Sequence, residues 1–213
     1  KSTRNKFWLT QKLTSLKKLW PNSTRSPNNN LHMDNFIKTF DGVFDDVTCQ
    51  SLIDIFEDSV YQEKIENDGR PNFTQVNLND HKEFKKFTSL VTYKICDVMK
   101  EYKKDLEDYT AWWPHKLYFE QLRIKKYRPD TEDMFDLHVD VQDHPTAKRY
   151  LAFLVYLNEG FEGGETTFPH HDLIFEAKPG KVLVFPPTWQ YPHMGLPVQV
   201  KPKYIMSTYL HYN

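Results

Sequence analysis

Three His-x-Asp triplets are the residues of this sequence whose types and spacing are best suited to bind a metal ion. Side chains two residues apart on a β-strand project from the same face, so a triplet on a strand directs an imidazole and a carboxylate towards one point. One triplet alone is weak evidence because it arises readily by chance, and its setting must decide between the copies. The copies are His32-Met-Asp34, His138-Val-Asp140 and His170-His-Asp172.

The second triplet has the setting that a rigid metal site requires. The first ends a polar linker and the third lies in a predicted connection, whereas His138 and Asp140 precede a well-formed strand-like segment. A further histidine, His193, follows beyond three strand-like segments. Two imidazoles and one carboxylate occupy one face of Fe(II) and leave its other positions open, and Zn(II) accepts the same ligands. The three residues predict a metal centre of one of these kinds; unrelated surface residues are the alternative.

A lysine strengthens the interpretation in favour of iron. Lys203 follows His193 by ten residues, on the next predicted strand. Fe(II) with one carboxylate ligand has a net charge of about +1, and a dicarboxylate co-substrate adds about −2. A buried ammonium group that neutralises the outer carboxylate of such a co-substrate is therefore physically sensible. These four residues form the candidate site of the sequence.

Helical spacing of apolar residues in the first half of the chain predicts elements that support this site. A helix capped by Asp45 or Asp46 is predicted, after a strand at 36–40, and residues 73–78 form a short strand. A long helix is predicted over residues 80–107. The first helix is predicted to bury Leu52, Ile53, Phe56 and Val60, and the second Phe84, Phe87, Leu90, Val91, Ile95, Val98 and Met99.

From residue 117 onwards the hydrophobic period changes to two, which is typical of strands. Strand-like segments lie at 117–127, 149–157, 181–185 and 203–212, with Gly- and Pro-containing turn signals between them. Helices followed by a run of strands predict an α+β fold, in which a helical layer supports an antiparallel sandwich or jelly roll.

Composition limits the class of protein further. The 213 residues are 39% hydrophobic, enough for one sizeable domain, and contain no apolar run long enough for a membrane span. Seven of the 28 basic residues lie in the first 30 positions, which contain no acidic residue, so the remainder carries 21 basic and 29 acidic residues. That acidic remainder argues against non-specific binding of nucleic acid by the main domain.

The domain boundaries follow from the same change in composition. Residues 1–32 are predicted to be a basic amphipathic arm and polar linker, and Met33 opens a domain over residues 33–213, mainly helical at 33–116 and β-rich at 117–213. An adaptor or membrane-surface role of the arm is one hypothesis, and a solvated extension is the other. The two cysteines, Cys49 and Cys96, are predicted to be buried reduced thiols. We expect a cytoplasmic protein, for which a bacterial or viral source is consistent with the compact length.

The second half of the chain resembles the catalytic double-stranded β-helix of the 2-oxoglutarate- and Fe(II)-dependent dioxygenases, and within them the prolyl 4-hydroxylase-like branch. The His-x-Asp, His and Lys positions occur in the family's order and spacing. The matching segments are YRPDTEDMFDLHVD, RYLAFLVYLNEGFEGGETTF, PGKVLVFPPTWQYPHMGLPV and KYIMSTYL. The resemblance covers somewhat under half of the chain strongly.

The resemblance implies a role for individual residues. By position, His138, Asp140 and His193 are the iron ligands, and Lys203 pairs with the C5 carboxylate of 2-oxoglutarate. Phe135 stands where many relatives carry a tyrosine, which removes one hydroxyl from the expected pocket. Three further residues are implied to hydrogen-bond to the co-substrate or to flank it: Tyr127, Tyr156 and Ser207.

The implied activity is hydroxylation of a C–H bond with release of succinate and CO2, with O2 as co-substrate and ascorbate to keep the iron reduced. A prolyl residue in a peptide or protein is the first expectation for the substrate. A free amino acid or small metabolite, and a non-catalytic β-barrel binding module, are the alternatives. We also weigh a peptide groove against core packing for four aromatic residues: Trp112, Trp113, Trp189 and Tyr191. Glu165 and Thr167 are candidates for the pocket mouth, and His170 and His171 are expected to be solvated.

Overall fold

A computed structural model describes residues 36–66 and 71–212. The predictions for the basic arm, for the boundary at Met33 and for the first His-x-Asp triplet lie outside these residues. Among the helices of the described ranges, none combines the length and hydrophobicity of a membrane span.

The first helix, α1, comprises Asp46–Glu57 and begins where the sequence indicated. The Asp45 carboxylate accepts a hydrogen bond of 2.7 Å from the backbone N–H of Thr48, which identifies Asp45 as the N-cap. Leu52 and Phe56 are buried against the sheet core as predicted. Val60 is not buried: it lies beyond the end of α1 and is 86% exposed.

The second helix, α2, comprises Lys85–Lys104, and short 3-10 turns precede it where the sequence predicted a continuous helix. Its buried residues are Val91, Ile95, Val98 and Tyr102, which recur at spacings of three and four. Leu90 was predicted to be in this stripe, but it lies one position off it and is 40% exposed.

Fourteen strands follow or intersperse these helices in the described residues. They are β1 (Lys38–Phe40), β2 (Glu63–Ile65), β3 (Phe73–Asn77), β4 (Leu117–Phe119), β5 (Arg123–Tyr127), β6 (Phe135–His138), β7 (Arg149–Tyr156), β8 (Glu162–Gly163), β9 (Thr166–Phe168), β10 (Leu173–Phe175), β11 (Val182–Phe185), β12 (His193–Gly195), β13 (Val198–Gln199) and β14 (Lys203–Tyr212). The segment predicted as one strand at 117–127 is thus divided into β4 and β5.

Two antiparallel sheets contain most of these strands. The larger has the order β1-β11-β7-β14-β5-β3-β2, with β4 also paired to β14, and the smaller has the order β10-β9-β12-β6. Strands β8 and β13 form a separate pair. Many neighbours in the sheets are distant in sequence, as in a jelly roll. The predicted α+β architecture, a jelly roll supported by helices, is confirmed.

The long strand β14 shows how the larger sheet separates a supporting core from a site. Tyr204, Met206 and Leu210 lie in the hydrophobic cluster that includes the helices. Ile205 and Tyr209 lie in a second cluster, which includes residues of the smaller sheet. Successive residues of a strand face opposite sides. One set of β14 side chains therefore packs with the helical layer, and the alternate set lines the space between the sheets.

The corrected boundary of α1 gives a test of this packing. We expect Leu52→Ala to lower the free energy of unfolding by about 2–5 kcal/mol, because it leaves a cavity in the core. Val60→Ala is the matched control and should change stability by less than about 0.5 kcal/mol, because Val60 is exposed. Urea unfolding of both variants measures the difference. Equal losses would contradict the described burial.

Candidate metal centre and its cavity

The two histidines of the candidate site are brought together by strand pairing. His138 ends β6 and His193 begins β12, and the two are direct partners in the antiparallel register. Their ring centroids are 4.3 Å apart. Asp140 follows β6 by two residues, and its backbone N–H donates to the carbonyl oxygen of Pro187 at 3.1 Å. The register and this loop contact place the three side chains at one point between the sheets.

The donor atoms of this triad are close enough to share one metal ion. The Nε2 atoms of His138 and His193 lie 3.5 and 3.6 Å from the two carboxylate oxygens of Asp140. Ligands at about 2.0–2.2 Å from a metal lie about 3–3.5 Å from one another, so the spacing fits a metal centre. Among the described residues, this is the one cluster of three such groups with converging ligand atoms.

Backbone hydrogen bonds orient both imidazoles for this role. His138 Nδ1 lies 2.6 Å from the carbonyl oxygen of Asp136, and His193 Nδ1 lies 3.1 Å from that of Tyr191. A carbonyl only accepts, so each Nδ1 carries the proton and each Nε2 presents its lone pair towards Asp140. Hydrogen bonds of this kind fix the tautomer and ring direction of histidines that bind metals.

The protonation states also suit metal binding. Burial lowers the pKa of His193 to about 4, so the imidazole is neutral near pH 7. Burial opposes ionisation of Asp140, but the positive charge that His193 and His138 carry in their protonated forms, and the hydrogen bond from Tyr209, hold the pKa of this carboxyl well below its ordinary value. Neutral imidazoles and an ionised carboxylate are the forms that coordinate a cation.

Tyr209 and Arg149 hold Asp140 in place, and the sequence reasoning missed both. The Tyr209 hydroxyl donates a 2.8 Å hydrogen bond to Oδ1 of Asp140. The Arg149 guanidinium lies 3.9 Å above the Tyr209 ring, donates to the Asp140 carbonyl oxygen at 2.9 Å and is held by Glu120. Tyr209 has the same strand parity as Lys203 on β14, so the period of two could have indicated it.

A cavity opens beside the triad, between the two sheets. The residues that line it are Lys125, Tyr127, Phe135, His138, Asp140, Leu154, Thr166, His193, Gly195, Leu196, Lys203, Ile205 and Tyr209. The cavity therefore combines one ionised carboxylate, two imidazoles and two lysine side chains with apolar walls. Such a combination is typical of small-molecule sites.

Lys203 is buried in this cavity, as predicted. It is 3% exposed, and its Nζ donates a 2.5 Å hydrogen bond to the carbonyl oxygen of Gly164. Nζ also lies 5.7 Å from the ring centroid of Tyr127 and 5.6 Å from that of Tyr156. Burial lowers the pKa of Lys203 to about 8. The ammonium group is thus held by one carbonyl and two rings; it forms no ion pair among the described residues, and the Glu165 carboxylate acts on it only at longer range.

The other candidate pocket residues have different environments. Tyr127 lines the cavity, whereas the Tyr156 hydroxyl donates a 2.8 Å hydrogen bond to Thr166 Oγ1. Ser207 is buried on β14 but does not line the cavity. The cavity is lined by Thr166, not by its neighbours Glu165 and Thr167, the residues named from sequence.

Several surrounding residues correct or refine the sequence predictions. His171 was expected to be solvated, but it is buried, stacks on Tyr191 and lies 2.9 Å from the carbonyl oxygen of Gln190 through Nε2. Phe135 stacks on His138 with ring centroids 3.6 Å apart, so it packs against a candidate ligand without supplying a hydroxyl. Of the aromatic residues considered for a groove, the two that are exposed are Trp112 and Trp189; Trp113 and Tyr191 pack inside.

Comparisons with known proteins agree with this geometry. Residues 122–211 match the family described as the 2OG-Fe(II) oxygenase superfamily. No curated protein is similar enough in sequence to match the chain.

The similar solved structures are distant in sequence. A viral collagen prolyl hydroxylase from Paramecium Bursaria Chlorella virus-1 is 21% identical with a TM-score of 0.65, covering 84% of this chain and 97% of that one. A Trichoplax adhaerens prolyl hydroxylase, in complex with a hypoxia inducible factor peptide fragment, is 11% identical with a TM-score of 0.66, covering 95% and 93%. A Pseudomonas putida prolyl-4-hydroxylase is 13% identical with a TM-score of 0.60, covering 84% and 93%.

The fold is a jelly roll of the double-stranded β-helix type, and the triad lies between its sheets. The C-terminal part of the chain matches the 2OG-Fe(II) oxygenase superfamily, and the structures that share the fold include prolyl hydroxylases. The resemblance recognised from the sequence is therefore confirmed.

Replacement of Tyr209 tests the support of Asp140. We expect Tyr209→Phe to weaken metal binding by about tenfold, because the carboxylate loses the hydrogen bond that fixes its orientation. Tyr212→Phe, on the same strand but partly exposed, is the matched control and should bind as the wild type does. Competition with a chelating dye measures Mn(II) affinity in all three proteins. Equal affinity of Tyr209→Phe and wild type would contradict this role.

Proposed function

We propose that the protein is an Fe(II)- and 2-oxoglutarate-dependent dioxygenase that hydroxylates a prolyl residue in a peptide or protein and releases succinate and CO2. The observation that carries this proposal is the triad of His138, Asp140 and His193 in one cavity with the buried ammonium group of Lys203. A binding module has no need for all four groups, because burying them is costly unless they hold a ligand.

In this proposal His138, Asp140 and His193 hold the metal ion, and the bound iron supplies the activation of O2 for C–H hydroxylation. Zn(II) fits the same donors but not this chemistry. The chain itself fixes the tautomers of the two imidazoles and the ionised state of Asp140. The largely apolar walls of the cavity exclude water from the reacting groups.

Lys203 is proposed to bind the C5 carboxylate of 2-oxoglutarate. Its ammonium group forms no ion pair with a carboxylate among the described residues, so a bound dicarboxylate would supply one. Tyr127 lines the same space beside Lys203. Tyr156 and Ser207 are proposed to flank the co-substrate, Tyr156 through its ring beside Lys203. Ascorbate is proposed as the reductant that keeps the iron active.

The substrate is proposed to be a prolyl residue in a peptide or protein. Two of the structures with this fold are named as a collagen prolyl hydroxylase and as a prolyl hydroxylase bound to a peptide fragment. In this chain, Trp189 is exposed four residues before His193 and offers a face on which a proline ring could stack. A free amino acid or a small metabolite is the alternative substrate, since the charged and polar groups that line the cavity would also suit such a molecule.

A substrate screen tests the activity. We expect Fe(II)-loaded protein with 2-oxoglutarate, O2 and ascorbate to add one oxygen atom to proline-containing peptides, with an equal amount of succinate. The same peptides with alanine in place of proline, and free L-proline, are the controls for substrate class, and Asp140→Ala is the control for the site. Mass spectrometry measures both products. Hydroxylation of free amino acids alone would replace the peptide substrate, and no hydroxylation above the Asp140→Ala level would contradict the proposal.

The pKa of Lys203 gives a prediction for pH dependence. The charged form binds a carboxylate, and with a pKa of about 8 its population falls as pH rises through that value. From about pH 7 to about pH 9 we therefore expect the KM for 2-oxoglutarate to rise about tenfold. Lys203→Met should have a KM raised by about tenfold or more already at pH 7, and its remaining pH dependence should be smaller. A wild-type KM that does not change over this range would contradict the role of Lys203.

A further inference from the structure

A second lysine, Lys125, lies in the same cavity and has no role in the function proposed above. It lies in the middle of β5, is only 8% exposed and lines the cavity with the triad. Its neighbour Lys126 faces the other side of the strand, where Nζ pairs with the Glu57 carboxylate at 2.8 Å. The alternation of the strand thus directs one lysine to an acidic partner and the other into the cavity.

Lys125 has no polar partner in the part of the chain that the structure describes: no hydrogen bond and no ion pair of its Nζ is formed there. The rings of Phe73 and Phe135 have centroids 5.0 and 5.8 Å from Nζ, and the Asp140 carboxylate acts on the ammonium group at longer range. Rings attract a cation but do not replace the hydrogen bonds that a buried ammonium group loses. Burial accordingly lowers the pKa of Lys125 to about 8.

The sum of the charges in the cavity indicates that an anion is missing. A divalent metal and a dicarboxylate co-substrate bring equal and opposite charges. The cavity's own groups are then Lys125, Lys203 and Asp140, which leave about one positive charge without an anion. Methionine or leucine would fill the position of Lys125 at a lower desolvation cost. The retained ammonium group is therefore suited to a further anion that is present only when ligands are bound.

We propose that Lys125 is a second carboxylate-binding group of this cavity, in addition to Lys203. The excess positive charge favours the substrate as the source of this carboxylate. The hydroxylated molecule would then bear a carboxylate close to the reacting carbon, for example a peptide C-terminus or an acidic side chain. The co-substrate is the other possible source of the same chemistry. This inference rests on the proposed function for the identity of the neighbouring ligands.

Binding experiments with simple probes test the proposal without a known substrate. Isothermal titration measures 2-oxoglutarate binding to the Mn(II)-loaded protein. N-acetyl-L-proline and its uncharged N-methylamide are then titrated into the complex. We expect Lys125→Met to bind N-acetyl-L-proline about tenfold more weakly than wild type, and both proteins to bind the amide equally. Lys125→Arg, which retains the charge, should restore much of the binding. Lys126→Met is the matched control from the same strand.

The titrations of 2-oxoglutarate and of N-acetyl-L-proline together identify which ligand supplies the carboxylate. A loss confined to N-acetyl-L-proline assigns Lys125 to the substrate, and a loss of about tenfold in 2-oxoglutarate affinity assigns it to the co-substrate. Changes below about twofold with both ligands would overturn the proposal. Failure of the proposed function looks different, because wild-type protein would then bind no 2-oxoglutarate in the presence of Mn(II), whatever residue stands at 125.

Stability provides an independent check on a merely structural role. Because an unpartnered buried ammonium group is costly, Lys125→Met should unfold at a urea concentration equal to or higher than that of wild type. A residue whose only task is to stabilise the fold would show the opposite. A markedly less stable Lys125→Met protein that still binds N-acetyl-L-proline and 2-oxoglutarate as the wild type does would assign Lys125 to packing and overturn the proposal.

Discussion

The ionised carboxylate of Asp140, buried between two imidazoles, is the interaction on which the rest of this structure depends. Burial by itself favours the protonated form, and the hydrogen bond from Tyr209, together with the charge of His138 and His193 in their protonated forms, offsets that cost. Each of these groups must be held by something else in turn. Backbone carbonyls orient the histidines, and Arg149 packs on Tyr209. The fold thus holds in advance a group of ligand atoms whose spacing and charge suit a cation.

The sheets explain how a chain of this length prepares such a receptor. Pairing of β6 with β12 sets the distance between His138 and His193, and no other element has to adjust it. The alternation of β14 directs Lys203 and Tyr209 towards the cavity while Met206 packs with the helices. The helical layer therefore acts on the chemistry indirectly, by fixing the sheet that carries two groups of the site.

The sequence predicted those parts that depend on short-range pattern or on residue chemistry. The triad, Lys203 and the strands β7, β11 and β14 were predicted because ligand type and a period of two are local signals. Val60 and Leu90 were predicted to be buried, but both are exposed. Tertiary packing decides at which residue a helix ends and which residues form its buried stripe. His171 is buried by its stacking on Tyr191, a contact that no spacing indicates.

Lys125 and Tyr209 show a different limit. Both lie within segments that were predicted to be strands, and alternation restricts each side chain to one of two faces. Which face borders the cavity depends on where β5 and β14 lie between the helices and the smaller sheet, and that is a property of the whole topology. In Lys125 and Lys126 the sequence offers two adjacent lysines, and only the assembled sheet distinguishes the one paired with Glu57 from the one in the cavity.

The central claim is that His138, Asp140, His193 and Lys203 form one site for Fe(II) and 2-oxoglutarate. Its most direct test is the visible spectrum of the protein after anaerobic addition of both ligands. We expect a metal-to-ligand charge-transfer band in the wild type and no band in His193→Ala. The control variant His144→Ala should show the band, because His144 is exposed and lies outside the site. Folded, iron-loaded wild-type protein without the band would contradict the account.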